Sequence, residues 1–354
     1  MIIIGGGIAG ISLGAELSRR GHRVTLLEAE DQLAYHTSGR SAQQLILGYG
    51  PAAVRELTDR TVEMLQKRQR ALQRPVAWPS RFLMVGSEAD IAAQAYPGQL
   101  YHDQQAVLAL LPELRAERFT AGALDDRSLR IHADAMIDWL IEDAPYLQIC
   151  LGERVTAAQR IDNIWQLTTT RGTYRTNVVI NAAGAWADEV AELFGVRTLG
   201  LTPLRRTAAI LEIDQRISPD RCMMMKVDGY YYRYEDESAI LASPQEAVPS
   251  PAVDARPRDA DIDDLIQAIE DDTTLGIRGV RAAWTGLRTE APDGVPVVGF
   301  DQQPGFFWLA GQSGYGFQTS LGFARLATEL LLDSQAGPWV STAAVHALAP
   351  GRLR

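Results

Sequence analysis

The stretch MIIIGGGIAGISLGAELSRRGHRVTLLEAE, residues 1–30, decides how this chain folds. Met1 to Ile4 is apolar and rich in β-branched residues, the signature of a buried strand. Glycines follow, then a helical pattern from about Ile8 to Arg20 that Gly21 stops. Val24 to Leu27 is the next buried strand, and it ends on Glu28. The unit reads as β–turn–α–β. Its turn, Gly5-Gly6-Gly7-Ile8-Ala9-Gly10, is a GxGxxG. Gly5 permits the tight turn, Gly7 lets the backbone approach a pyrophosphate, and Gly10 lets the helix pack on the sheet. Ile8 and Ala9 open the helix whose N-terminus faces the phosphates. Glu28, with Ala29 beside it, lies 18 residues past Gly10, where a carboxylate can accept hydrogen bonds from ribose hydroxyls. The expectation is a dinucleotide site. The first strand is short for that role: either the chain begins upstream of Met1 or the strand is trimmed.

Residues 1–15 are uncharged, but they are neither a signal peptide nor a membrane span. The positive n-region is missing, and the run is short and glycine-rich. The 354 residues, 46% of them hydrophobic, suffice for two domains or for one large α/β unit with an insertion. A formal net charge of −10 argues against a nucleic-acid surface, which needs clustered Lys and Arg. Cys150 and Cys222 lack CxxC spacing, and the five histidines lack HxxxH spacing. No metal site or disulfide framework is expected, and a reducing, cytoplasmic setting fits. No integral membrane segment is expected, while peripheral association with the inner face of a membrane stays open.

Further along, residues 52–72 are helical by pattern, 82–86 (FLMVG) read as a strand, 87–118 as helix with proline breaks, and 132–144 as helix. Residues 149–186 read as strands and turns, ending in a second strand–turn–helix at NAAGAW (181–186). LRRTAAILEI (204–213) and GYYYRYE (229–235) alternate like sheet strands. An acid-started helix covers 265–272. GFFWLAG (305–311) is a strand that runs into a glycine turn and a final helix, 312–332. There are no internal repeats and no low-complexity tracts.

The blocks HTSGRSA (36–42), YG (49–50), NAAGAW (181–186), LGLTPLRR (199–206), WTGLR (284–288) and GYGFQTS (314–320) together resemble the FAD-dependent D-amino-acid oxidase/dehydrogenase superfamily, which includes glycine oxidase and sarcosine oxidase. Within it the chain is most similar to bacterial D-arginine dehydrogenases. The blocks occur in the family's order over nearly the whole chain. The resemblance implies an α/β protein with a Rossmann-type, glutathione-reductase-like FAD-binding domain and an interleaved antiparallel-sheet substrate domain. It places the FAD-binding domain at 1–80, 133–203 and 285–354, and the substrate domain at 81–132 and 204–284. It implies non-covalent FAD, since no cysteine lies near the C-terminal flavin segment.

By the same resemblance, Ser38, Gly39, Arg40, Ser41 and Ala42 line the flavin and its pyrophosphate. Arg40 would neutralise phosphate, with a surface ion pair as the competing reading. Ala182, Ala183 and Gly184 leave room for close backbone contact, and Trp186 closes that block. Val155 is placed against the adenosine, with core packing as the competing reading. Gly314, Tyr315, Gly316, Phe317, Gln318 and Thr319 open the last helix, whose free N–H groups would stabilise negative charge at the flavin N1 and C2 carbonyl.

At the substrate end, Arg206 and Arg288 match the family positions that hold a carboxylate, Arg288 also touching the flavin. Arginine suits this because its planar fork binds carboxylate bidentately. Arg205 and Arg206 are adjacent on a strand, so only one can face the flavin; the resemblance selects Arg206. Tyr231 matches a tyrosine on the same carboxylate, and alternation puts it opposite Tyr230 and Tyr232. Tyr49 matches a tyrosine on a mobile loop over the site. Three positions depart from the pattern. Leu83 replaces a glutamate that pairs with a cationic substrate, Gln44 a histidine near the amine, and Ile46 a threonine. A cation facing Leu83 would be buried without a partner, so a substrate that is not strongly cationic is expected, with Met84 and Met223 to Met225 as candidate lining.

The implied reaction is oxidation of the C–N bond of an amino acid by hydride transfer to flavin N5. The resulting imine hydrolyses to a 2-oxo acid and ammonia, and the reduced flavin passes its electrons to oxygen or a quinone. Two other enzymatic readings remain: a secondary-amine or glycine-type oxidase acting on a biosynthetic intermediate, and a flavin-dependent 2-hydroxy-acid dehydrogenase. A non-catalytic flavin-binding subunit is the third.

Overall fold

A computed structural model describes residues 1–218 and 220–354. The opening reading holds closely: strand Ile2–Ile4, helix Ile8–Arg19 and strand Val24–Leu27 follow one another as expected. Gly21, at φ +85°, sits just past the helix. The strands join a six-stranded sheet. Its order is Val297–Phe300, Phe306–Ala310, Val179–Asn181, Ile2–Ile4, Val24–Leu27, Leu147–Cys150. All neighbours run parallel except Val297–Phe300, which is antiparallel to Phe306–Ala310. Parallel strands buried on both faces read as continuous apolar runs, which is why III and FFWLA were legible. Helices Ile8–Arg19 and Ala52–Leu72 pack against the last long helix, Gly316–Leu332. The second of these contacts is close. A β-carbon at Gly322 would come within 2.8 Å of the Leu57 carbonyl, and the Gly322 N–H donates to Thr61 Oγ1 at 2.9 Å.

Between Leu147–Cys150 and Val179–Asn181 the chain makes a meander of Val155–Ile161, Ile164–Thr169 and Thr173–Thr176. Its first turn holds Asp162 and Asn163 at φ +50° and +65°, the backbone of a two-residue hairpin.

A nine-stranded sheet forms the other half. Thr202–Ile213 pairs along its whole length with the 14-residue strand Ile277–Glu290. On its other edge it pairs with Ala239–Ser243, and the sheet continues through Tyr231–Asp236, Met223–Lys226, Phe82–Gly86, Ala121–Asp125 and Leu100–Asp103. The expected domain divisions at 203/204 and 284/285 therefore fall inside continuous strands. The region 87–118, read as helical, holds helices Glu88–Gln94 and Gln104–Leu110 but also the strand Leu100–Asp103 between them.

The two faces of this sheet pack differently. One face buries Leu83, Met224, Tyr230, Tyr232 and Tyr234 beneath helix Asp259–Asp272, whose Leu265 and Ile269 join the cluster. The opposite face carries Phe82, Met84, Met223, Tyr231 and Leu241. Tyr231 is thus opposite Tyr230 and Tyr232, as alternation requires. Leu83 does not share the Tyr231 face, so it cannot stand where a substrate-pairing glutamate would. Met224 likewise points away, whereas Met84, Met223 and the half-buried Met225 share the Tyr231 side.

Candidate active site

The glycine turn is built for close approach. A β-carbon on Gly5 would overlap the Ala182 carbonyl, and Gly5 sits at φ +109°. A β-carbon on Gly10 would overlap the Gly5 carbonyl oxygen, so helix and strand touch there with no room to spare. Glu28 braces the turn: its Oε2 accepts from the Gly6 N–H at 2.6 Å and its Oε1 from the Glu30 N–H at 2.9 Å. A carboxylate has about four lone-pair sites, so acceptor capacity remains for a ribose.

A cavity of about 300 Å³ opens at the carboxyl ends of strands Ile2–Ile4 and Val24–Leu27, where open α/β sheets bind ligands. Gly5, Gly7, Glu28, Ala29, Ser38, Val155, Ala182, Ala183, Gly184 and Trp186 line it. Its wall also includes Glu30, His36, Glu153 and Arg154, which sequence reasoning missed. His36 packs against Trp186 with ring centroids 4.5 Å apart and the planes tilted by 48°. Position beside Val155 was the available signal for Glu153 and Arg154. His36 opened a block already singled out.

The segment after Glu28 closes over the helix start. Ser38 Oγ accepts from the Ile8 N–H at 2.9 Å, and a β-carbon on Gly39 would overlap the Ala34 carbonyl. Thr37 Oγ1 donates to the Leu287 carbonyl at 2.8 Å, tying this segment to the Arg288 strand. Ser41 Oγ accepts from the Gln43 N–H, and the Ala42 carbonyl accepts from Arg233 Nε at 2.9 Å.

Arg40 behaves differently from expectation. Its guanidinium pairs with Asp254 at 2.6 Å and donates to the carbonyls of Thr285 and Ala255. That pairing is the competing reading of Arg40, so its charge pins the loop to the second sheet instead of meeting a phosphate. Asp254 is held below the usual carboxylate range, chiefly by its hydrogen bond to Arg40. Arg40→Leu should therefore lower the Tm of the flavin-free protein by a few degrees, since a charge-assisted hydrogen bond contributes about 1.5–3 kcal/mol. An unchanged apoprotein Tm with weakened FAD binding would instead return Arg40 to the phosphate.

The last helix starts next to the first. A β-carbon at Gly316 would lie 3.2 Å from Ile8 Cγ2. Gly316, Phe317 and Gln318 are the first three residues of the helix, and their N–H groups have no intrahelical acceptor. The Thr319 N–H is not free: it donates to the Tyr315 carbonyl at 3.0 Å, and so does Thr319 Oγ1. The Gln318 side chain turns away and is buried, donating to the Tyr49 carbonyl and to Thr58 Oγ1, and accepting from the Ile46 N–H. It holds the 46–49 segment in place. Tyr49 is 39% exposed and lies over Tyr315 with ring centroids 5.2 Å apart. Gln44, expected near the amine, is tied at both ends to Ser80: its Nε2 donates to the carbonyl and its Oε1 accepts from Oγ.

Gly314 carries Arg288 against it; a β-carbon there would come within 3.0 Å of the guanidinium. Leu204 pairs with Arg288 and Arg206 with Gly286 across the two long strands, so Arg206 and Arg288 project from the same face. Arg205 goes to the other face and donates to the Arg256 carbonyl at 2.7 Å. Among the described residues, neither Arg206 nor Arg288 has a carboxylate partner, and Arg206 Nε is buried with no acceptor. Burial pushes the Arg206 guanidinium below its ordinary value, the Arg288 charge adds to this, and Tyr231, Tyr49 and Glu246 oppose it. Two neighbouring cations that form no ion pair among the described residues can receive an anion. The Tyr231 hydroxyl makes no hydrogen bond among the described residues, and its ring joins the apolar face of Phe82, Met84 and Met223.

The glycine cradle, the N–H groups of Ala9, Gly10 and Gly316 to Gln318, which have no acceptor among the described residues, and the cavity at the strand ends fit a flavin dinucleotide. Its adenosine would lie along Glu28 and Val155, and its flavin beside Gly316 to Gln318.

Comparison with known proteins agrees on FAD as the cofactor. A family model described as FAD dependent oxidoreductase (DAO) matches residues 1–330. The chain is similar to the mitochondrial dimethylglycine dehydrogenase of Rattus norvegicus, 24% identical over 94% of this chain and 43% of that one. It thus spans less than half the length of that relative. It is also similar to D-amino acid dehydrogenase of Vibrio atlanticus, 21% identical over 94% of this chain and 96% of the other. Among solved structures, L-proline dehydrogenase from P. horikoshii superposes with a TM-score of 0.81, at 18% identity over 95% of this chain and 93% of that one. On the glycine turn, the cavity and the match over nearly its whole length, the chain belongs to the DAO family of FAD-dependent oxidoreductases.

Proposed function

We propose that this oxidoreductase oxidises the C–N bond of an amino acid with an apolar side chain. The carrying observation is the pair Arg206 and Arg288, which face one way beside Tyr231 and form no ion pair among the described residues. Bound FAD supplies the two-electron acceptor. The two guanidinium groups bind the substrate carboxylate, and the Tyr231 hydroxyl donates to it. With the carboxylate held, the Cα–H is presented to the flavin, so the protein contributes orientation and electrostatics. The amine loses its Cα hydride as the free base, and the iminium is hydrolysed by water to a 2-oxo acid and ammonium. Tyr49 and Tyr315 screen the site from solvent.

The apolar preference rests on Phe82, Met84 and Met223, which share the Tyr231 face. Leu83, on the opposite face, plays no part. Relatives in the family acting on dimethylglycine and on D-amino acids support C–N oxidation.

Anaerobic mixing with D- and L-amino acids, N-methyl amino acids and 2-hydroxy acids tests the reading through the flavin's visible absorbance. An apolar amino acid should bleach the flavin faster than a cationic one. Bleaching by 2-hydroxy acids alone, or by nothing in the panel, would overturn the proposal.

A further inference from the structure

The strand Thr202–Ile213 has one complete edge and one broken edge. Its broken edge pairs with Val248–Pro249 at Leu204 and Arg205, and with Ala239–Ser243 from Ala209 to Glu212. Positions 206–208 lie between, with no strand beside them on that edge among the described residues. There the chain leaves the sheet after Ser243, which pairs with Tyr231, and turns through Gln245 at φ +59°. This brings Glu246 into the break. The Thr207 N–H donates to Glu246 Oε1, so one carboxylate oxygen completes the ladder. The other, Oε2, is buried and has no partner among the described residues.

Arg206, next in sequence to Thr207, also has a buried and unpartnered atom, Nε. An acid and a base placed purely for stability would close on each other, because each unpaired buried group is costly. Here both keep an unfilled hydrogen-bonding position, and Tyr231 and Glu246 both act electrostatically on Arg206. A ligand carrying an anion and a cationic N–H donor a few bonds apart satisfies both at once, and an amino-acid zwitterion is such a ligand. Burial also pushes the Glu246 carboxyl above its ordinary range, against the pull of its Thr207 hydrogen bonds and of Arg206.

We propose that Glu246 Oε2 accepts the N–H of the substrate's amine and thereby selects amino acids over carboxylates that lack one. This inference rests on the amino-acid reading above. Sequence alone concealed it, because an acid in the loop SPQEAVPS looks solvated.

The test uses the full FAD-loaded chain and two probes: leucine, as both enantiomers, and 4-methylpentanoate, the same skeleton without the amine. Binding is read from the perturbation of the flavin spectrum, and reduction from bleaching. In the unaltered protein leucine should bind and bleach, and 4-methylpentanoate should bind only. If neither perturbs the flavin, the amino-acid reading itself fails. Glu246→Gln keeps an oxygen for the Thr207 N–H. It should weaken leucine about tenfold or more while 4-methylpentanoate binds as well or better, a tenfold change in their ratio being worth about 1.4 kcal/mol. An equal change for both probes would mean a merely structural role and would overturn the inference, as would no change. If Glu246→Gln does not retain FAD, Glu246→Asp takes its place: the same selective loss of leucine supports the proposal, and parallel behaviour of the probes refutes it.

Discussion

Arg288→Met should leave the protein folded and flavin-loaded, yet slow flavin reduction by any carboxylated substrate by about thirty-fold to several thousand-fold. The range follows from about 2–5 kcal/mol for truncating one partner of a buried, hydrogen-bonded charge pair, at about 1.4 kcal/mol per tenfold. Methionine keeps much of the length that packs on Gly314 and removes the charge, so the flavin environment is disturbed little. It also relieves the repulsion that Arg206 feels, so the variant should melt no lower than the parent. Stopped-flow reduction under anaerobic conditions checks the rate, and the absorbance ratio of flavin to protein checks loading. A variant reduced at the parental rate would remove Arg288 from the carboxylate site and, with it, the main support for an amino-acid substrate.

Gly10→Ala carries the second large effect, on cofactor retention. The added β-carbon would overlap the Gly5 carbonyl oxygen and approach Ile3 Cγ2 at 3.2 Å. Neither neighbour can yield cheaply. Gly5 is backbone pressed on Ala182, and Ile3 is fully buried between strands. Overpacking of this kind costs about 1–3 kcal/mol, and relief requires the helix to lift off the strand. Lifting it carries the Ile8 N–H away from Ser38 and the helix start away from Gly316. The purified variant should therefore hold a small fraction of the parental FAD and show a lower Tm. Full flavin loading with an unchanged Tm would show that the close contact is not what seats the cofactor.

Legibility in the sequence followed the range of the interactions involved. The βαβ start was readable because a strand, a glycine turn and a helix are local patterns of 3 to 12 residues. The same holds for Phe306–Ala310 running into Gly316–Leu332. Alternation also showed that Arg205 and Arg206 face opposite ways, and that Tyr231 opposes its two neighbours. It could not say which face held the site. Leu83 was misplaced for that reason: its orientation depends on the parallel pairing of Phe82–Gly86 with Met223–Lys226, more than a hundred residues away. Arg40 was assigned to a phosphate because its partner, Asp254, lies 214 residues on. Gln318 read as part of a helix start, while its side chain answers to Tyr49 and Thr58.

By itself, then, the sequence determined the dinucleotide-binding unit, the family and the residue types at the substrate end. The unit is set by backbone conformation and periodicity, which act between near neighbours; the family and the candidate residues at the substrate end follow from the resemblance of the ordered motif blocks. Only the tertiary structure decided that Arg206 and Arg288 share a face, that Arg40 is consumed by Asp254, and that Glu246 fills a break in the sheet with one oxygen to spare. Those outcomes depend on strand register and on where distant charges meet, and register is settled by burial across the whole sheet.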